Sequence, residues 1–241
     1  MTDILCAEQL CYTYKTGKEA LKEVSFSVRK GAFCALLGPN GAGKSTFFSL
    51  ASALIKPGQG GLRICGHDVA KNRTKALAKL GLVFQQTTLD LDLTVAQNLR
   101  YFASLHGISS KQANMRIQEE LERLNLFDRA NEKVRLLNGG HRRRVEIARA
   151  LLHEPDALLL DEATVGLDVK TRADLVKHVH SLCQDNGVGV LWATHLIDEI
   201  EDTDDVVILH QGNVVAQGRA DELADPALEE TFHKLTGASG A

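Results

Sequence analysis

The spacing of apolar residues changes along the chain, and each change predicts a different element. Over residues 4–30 the pattern is of short strands broken by a turn region at residues 12–18, with Val24, Phe26 and Val28 alternating with polar neighbours as on a half-buried strand. Residues 32–37 form an unbroken apolar run, which predicts a strand covered on both faces; a glycine-rich turn and a helix over residues 44–54 follow at once. Residues 56–61 read as a Pro/Gly turn, residues 62–65 and 80–84 as further strands, the latter closing at Gln85. From residue 94 to 130 the period becomes helical, with Val95, Leu99 and Phe102, then Ile117, Leu121 and Leu124, on one face.

Helix, strand, helix and strand then alternate over residues 141–152, 157–160, 170–186 and 189–193, the order of a parallel sheet flanked by helices. Residues 206–217 predict a hairpin around Gln211-Gly212-Asn213, and residues 237–241 a loose polar tail. The expectation is one α/β domain spanning 1–241: a core over 1–86 and 154–222, a helical subdomain inserted at about 87–153, and a tail at 223–241.

Composition narrows the class. The chain has 241 residues, enough for one core and a smaller attachment but not for two full enzymatic domains. Its 28 Lys+Arg against 31 Asp+Glu give a net charge of -3, so no general basic field for nucleic acid is present; the run Arg142-Arg143-Arg144 reads as a solvated helix face beside Glu146. The five cysteines (Cys6, Cys11, Cys34, Cys65, Cys183) lack the spacing of a zinc or redox site and are expected to be buried cytosolic thiols. No apolar run approaches the roughly 18 residues of a spanning helix, so a role at a membrane requires a partner that supplies the spans.

The chemistry begins at Gly38-Pro39-Asn40-Gly41-Ala42-Gly43-Lys44-Ser45, which fits G-x-x-x-x-G-K-[ST] between a buried strand and a helix start. Glycines there let successive N–H groups face one concavity, Lys44 neutralises outer phosphates, Ser45 offers an oxygen to magnesium and Thr46 a hydroxyl near the inner phosphate. A chance Lys-Ser after a glycine turn is the competing reading, and the flanking strand and helix count against it. A triphosphate site also needs a carboxylate on a second strand end, which Leu158-Leu159-Leu160-Asp161 supplies; the adjacent Glu162 is free to polarise an attacking water.

These motifs, with Gln85 closing a strand, Leu137-Asn138-Gly139-Gly140-His141 opening a helix, Leu167-Asp168 and a lone His195, resemble the ATP-binding subunits of ABC transporters over about residues 10–223. The resemblance implies a P-loop NTPase core with a parallel sheet, an N-terminal antiparallel β subdomain and an inserted helical subdomain. By the same resemblance Tyr14 stacks on adenine, and Gln85 rather than Gln86 touches magnesium or the attacking water. His195 anchors the terminal phosphate, the water and Glu162. The ligands implied are ATP and Mg2+.

Within the family the segment at Asn138, Gly139 and Gly140 reaches across a dimer to the partner's ATP, with Asp168 brought near that site, so a second copy of the chain and integral membrane subunits are the implied partners. The resemblance places such a subunit on the cytoplasmic face of the inner membrane. Asn138 stands where serine is usual, His141 where glutamine is usual and Ala163 where proline is usual. Asn138 still has an amide to donate, and the turn after Glu162 is expected to be looser. The signature departs enough to keep an ATP-gated module with weak hydrolysis open, beside a non-transporter ABC ATPase scaffold. Residues 138–153 also resemble ATPases accompanying quinone-dependent alcohol oxidation systems. A groove near Gln85, with Leu89, Leu91 and Leu93 either lining it or packed in the core, would meet the membrane subunits, and the region of residues 99–108 looks more like exporter modules.

Overall fold

In the computed structural model, which describes residues 2–237, the elements run β1 (Asp3–Thr13), β2 (Glu19–Arg29), β3 (Phe33–Leu37), α1 (Lys44–Ala51), β4 (Gln59–Ile64), β5 (His67–Asp68), α2 (Arg73–Leu77), β6 (Leu80–Val83), α3 (Val95–Leu105), α4 (Ser110–Arg123), α5 (Gly139–Leu151), β7 (Ala157–Asp161), α6 (Val169–Asn186), β8 (Gly189–Thr194), β9 (Asp205–His210), β10 (Asn213–Arg219), α7 (Ala220–Leu223) and α8 (Leu228–Thr236). One sheet is antiparallel, in the order β2-β1-β4-β5; the other has the order β10-β9-β3-β8-β7-β6. In the second sheet β9, β3, β8, β7 and β6 are parallel, and β10 adds antiparallel to the edge, so the sheet is mixed rather than wholly parallel.

The uninterrupted apolar run of β3 is explained by its position between β8 and β9, with both faces covered. Cys34 and Leu36 point into the core shared with β1, β2 and α1. Phe33, Ala35 and Leu37 point the other way, into the core built on α6 with Leu160 and Trp192. A third cluster joins α3, α4 and α5 through Leu99, Leu121, Val145 and Ala148, together with Leu89. Leu91 by contrast is exposed.

Several boundaries differ from the sequence expectation. The first strands part at residues 14–18, within the expected turn region, but they are long, 11 residues each, with register shifts along their pairing. Helix α1 stops at Ala51, because Ser52 donates its hydroxyl back to Phe48 O at 2.8 Å and Ala53 takes a φ of 55°. The helical stretch 94–130 is two α-helices, parted at Gly107 (φ 70°). Gly60 and Gly61, assigned to a turn, lie in β4, where a Cβ on Gly60 would meet Gln9 O at 2.1 Å. Residues 228–236 form α8, which buries Phe232 against the core; Ala238–Ala241 of the expected loose tail lie outside the described residues. Cys34 and Cys183 are buried, but Cys6, Cys11 and Cys65 are only half-buried, and all five are free thiols. No helix among the described residues is long and apolar enough to cross a membrane.

Candidate nucleotide site

The register of the parallel strands assembles the site. Val83 pairs with Leu160, Leu160 with Trp192 and Trp192 with Ala35, so four adjacent strands end on one line. Just beyond those carboxyl ends stand Gln85 after β6, Asp161 and Glu162 at the end of β7, His195 after β8 and the glycine loop after β3. Crevices outside the carboxyl ends of parallel strands are where such sheets bind ligands.

The loop at residues 38–43 is shaped by close backbone approach. A Cβ on Gly38 would fall 2.4 Å from Leu209 O, and Gly43 caps α1 at φ 118°, where a Cβ would meet Ala20 O at 2.7 Å. Gly212, in the turn between β9 and β10, donates to Ala42 O at 2.9 Å and braces the loop from behind. The cleft above it has a volume of about 390 Å³ and is lined by the loop and the start of α1, with Tyr14, Lys18, Gln85 and Glu162 among its walls.

Lys44 is buried, with Nζ donating to Gly38 O at 2.6 Å and lying 3.5 Å from Glu162 Oε1. Burial pushes its pKa down, against the opposing charges of Glu162 and Asp161. Glu162 accepts from Gln85 Nε2 at 3.0 Å and lies 3.4 Å from His195 Nδ1. Glu162 itself sits at φ 46°, in the left-handed region, a conformation that costs about 1 kcal/mol or more and persists only where neighbours over-determine it. Asp161 is 5% exposed, and its Oδ1 is buried without a hydrogen-bond partner. Burial first, and then the Glu162 charge, raise its pKa; the Ser45 hydroxyl bonded to it pulls the other way. A buried, orphaned carboxylate oxygen beside a serine hydroxyl fits a hard cation that takes oxygen ligands.

Tyr14 is 39% exposed at the mouth, its hydroxyl 2.9 Å from Thr46 Oγ1 and its ring edge-on to Tyr12. Asn138, Gly139, Gly140 and Asp168 are not among the cleft's walls. They lie where α5 and α6 begin side by side: a Cβ on Gly140 would stand 2.5 Å from Thr171 Cγ2. Asn138 Oδ1 accepts the His141 N–H at 2.8 Å and caps α5, so its amide nitrogen is the group left to donate. Asp168 caps α6 through Thr171 N at 3.0 Å and Thr171 Oγ1 at 2.6 Å, bonds that lower its pKa.

Arg143 is not part of a solvated face, as the sequence led us to expect. It is buried and donates to Phe84 O at 2.6 Å, Gln85 O at 2.9 Å and Glu146 Oε2 at 2.8 Å, while Glu146 Oε1 accepts from Thr88 N at 2.9 Å. The i,i+3 spacing of Arg143 and Glu146 is the one sequence cue to this clamp, and the flanking Arg142 and Arg144 obscure it. Glu199, Thr164 and Thr194, which form a buried cluster behind Glu162 and His195, carried no such signal.

The sequence matches the ABC transporter family over residues 21–165. The chain belongs to that family. It is an ATP-binding subunit, and the cassettes of this family are ATPases. It is 36% identical over 235 residues, 97% of the chain, to the linearmycin resistance ATP-binding protein LnrL of Bacillus subtilis (strain 168). To the daunorubicin resistance ATP-binding protein DrrA3 of Streptomyces coeruleorubidus it is 39% identical over 207 residues, 86% of the chain. It spans 75% and 65% of the lengths of those two relatives. The methionine import ATP-binding protein MetN 3 of Oceanobacillus iheyensis (strain DSM 14371 / CIP 107618 / JCM 11309 / KCTC 3954 / HTE831) is 37% identical over 228 residues, 91% of the chain and 67% of its own length.

Among solved structures, cbiO1 from Clostridium perfringens, described as part of an ABC transporter complex, superposes with a TM-score of 0.85 at 28% identity, covering 97% of this chain and 96% of that one. A dimeric cassette in a post-hydrolysis state bound to ADP and Pi gives 0.79 at 29% identity, over 89% of this chain and 98% of that one.

Proposed function

We propose that this ABC cassette hydrolyses ATP in a dimer of two copies and, through that cycle, drives export by separate integral membrane subunits from the cytoplasmic face of the membrane. The observation that carries the catalytic part is the convergence on one carboxylate: Gln85, His195 and Lys44 all approach Glu162 within 3.5 Å. Export is supported by the names of the two resistance relatives, and a membrane partner by the cassette taken from a transporter complex.

The residues divide the work by position. N–H groups of Gly38, Asn40, Gly41 and Gly43 and the start of α1 face the phosphates, Lys44 neutralises the outer charge, and Thr46 sits near the inner phosphate. Tyr14 covers the adenine. Asp161, Ser45 and Gln85 would hold Mg2+, which would neutralise the charge that develops on the phosphate. Glu162 accepts a proton from the attacking water, Gln85 and His195 orient that water, and His195 also donates to the terminal phosphate. Asn138, Gly139, Gly140 and Asp168 meet the ATP held by the other chain, which is a closed twofold arrangement.

Glu162→Gln tests this most simply. Turnover should fall on the order of 10²-fold or more while ATP affinity is kept, since only the base is lost. Unchanged turnover would defeat the assignment, and a chain that purifies from its native membrane fraction with only soluble partners would defeat the transport reading.

A further inference from the structure

Glu199 lies in the short turn Ile197–Glu199 after β8, outside the walls of the nucleotide cleft, and is 2% exposed. Its carboxylate accepts from three donors on two segments: Trp192 Nε1 at 2.9 Å, Thr194 Oγ1 at 2.5 Å and the Thr164 hydroxyl. Buried carboxylates are tolerated where every oxygen is engaged, and here the donors come from the two segments that carry the chemistry. Thr194 precedes His195, and its hydroxyl also accepts the Leu196 N–H at 2.9 Å, so the bonds bracket the histidine on both sides. Thr164 follows Glu162 by two residues.

The left-handed backbone of Glu162 therefore has two anchors. Ahead of it, its own N–H donates to Ala193 O at 3.0 Å. Behind it, Thr164 is bonded to Glu199, while Ala163, at a position that a proline ring would stiffen, is packed in the core. The same carboxylate thus ties the turn after Glu162 to the strand end that presents His195.

We infer that Glu199 is a positioning residue for ATP hydrolysis, locking Glu162 and His195 into one geometry without touching nucleotide. The inference rests on the roles assigned to Glu162 and His195 above. Glu199→Gln keeps the shape but leaves one acceptor oxygen and turns an amide toward a donor, so the turn after Glu162 and the strand end are released from each other.

The test compares full-length parent, Glu199→Gln and Glu162→Gln, measuring the Kd for magnesium ATP, steady-state kcat and acrylamide quenching of Trp192, the sole tryptophan of the chain. For Glu199→Gln the expected result is a kcat lowered on the order of 10²-fold, as misplacement by about 1 Å produces. Its Kd should stay within about twofold of the parent, as for groups that act only in the transition state, and Trp192 quenching should rise. A merely structural role would move Kd and kcat together, and that outcome overturns the inference. An unchanged kcat beside an inactive Glu162→Gln overturns it alone; an unchanged kcat in Glu162→Gln overturns it together with the reading it rests on.

Discussion

In the cleft, Lys44, Gln85 and His195 are held to Glu162 at 3.0 to 3.5 Å, whereas at the paired starts of α5 and α6 the side-chain oxygens of Asn138 and Asp168 are engaged with their own helices. The first region is complete within one chain and carries its strain internally, in a left-handed Glu162 and an orphaned Asp161 oxygen. The second is well capped, exposed at Asn138, Gly139 and Asp168, and does not line the nucleotide cleft. One half of the site is poised for a ligand by folding alone; the other is finished as structure and, on the proposed function, acts only when a second chain arrives.

Breaking each half should therefore give opposite signatures. Lys44→Ala should weaken ATP binding by the monomer on the order of 10²-fold, the loss of charge-assisted bonds. Gly140→Ala should leave that binding within about twofold, since Gly140 is not among the cleft's walls. Its new methyl would press on Thr171 Cγ2 and part α5 from α6, so nucleotide-driven association is what should fail. Equilibrium binding and sedimentation separate the two; equal loss of binding in both variants would erase the distinction.

A smaller effect sharpens the second half. Asn138 caps α5 through its carbonyl, so Asn138→Ser keeps a capping oxygen and supplies a hydroxyl donor in place of an amide; turnover should rise roughly fivefold, a hydrogen bond of about 1 kcal/mol. Asn138→Ala should instead cost about 1 kcal/mol of stability, visible in denaturant unfolding.

The smallest effects distinguish the two aspartates. Asp161 has its pKa raised by burial, so in the nucleotide-free chain it subtracts stability at neutral pH, and that cost fades as pH falls toward 3.8. Asp168 has its pKa lowered by Thr171, so it adds stability above 3.8 that is lost as pH falls through its folded value. At pH 7 Asp161→Asn should raise the nucleotide-free Tm and Asp168→Asn should lower it, and both differences should shrink in acid. Shifts of the same sign would contradict the contrast.

How much of this the sequence disclosed follows from how local each feature is. The glycine loop, Lys44 and the Asp161-Glu162 pair lie in contiguous motifs whose flanking strand and helix have clear periods, and the structure puts Gln85 and His195 at the neighbouring strand ends. Glu199 belongs to no motif, because its partners Thr164, Thr194 and Trp192 meet only after β7 and β8 pair. Arg143 was hidden by two arginine neighbours in sequence, although the fold turns it inward to the Gln85 backbone. The β9–β10 hairpin was legible from its Gln211-Gly212-Asn213 turn, whereas the core-packed α8 depends on tertiary contacts that a short apolar pattern does not encode.

The central claim is that the two halves belong to one site made by two chains. Sedimentation of the Glu162→Gln chain with and without saturating magnesium ATP tests it directly, because ATP that is not hydrolysed should hold the halves together. The account predicts a monomer without nucleotide and a dimer with it; a species that binds ATP fully and remains monomeric would contradict it.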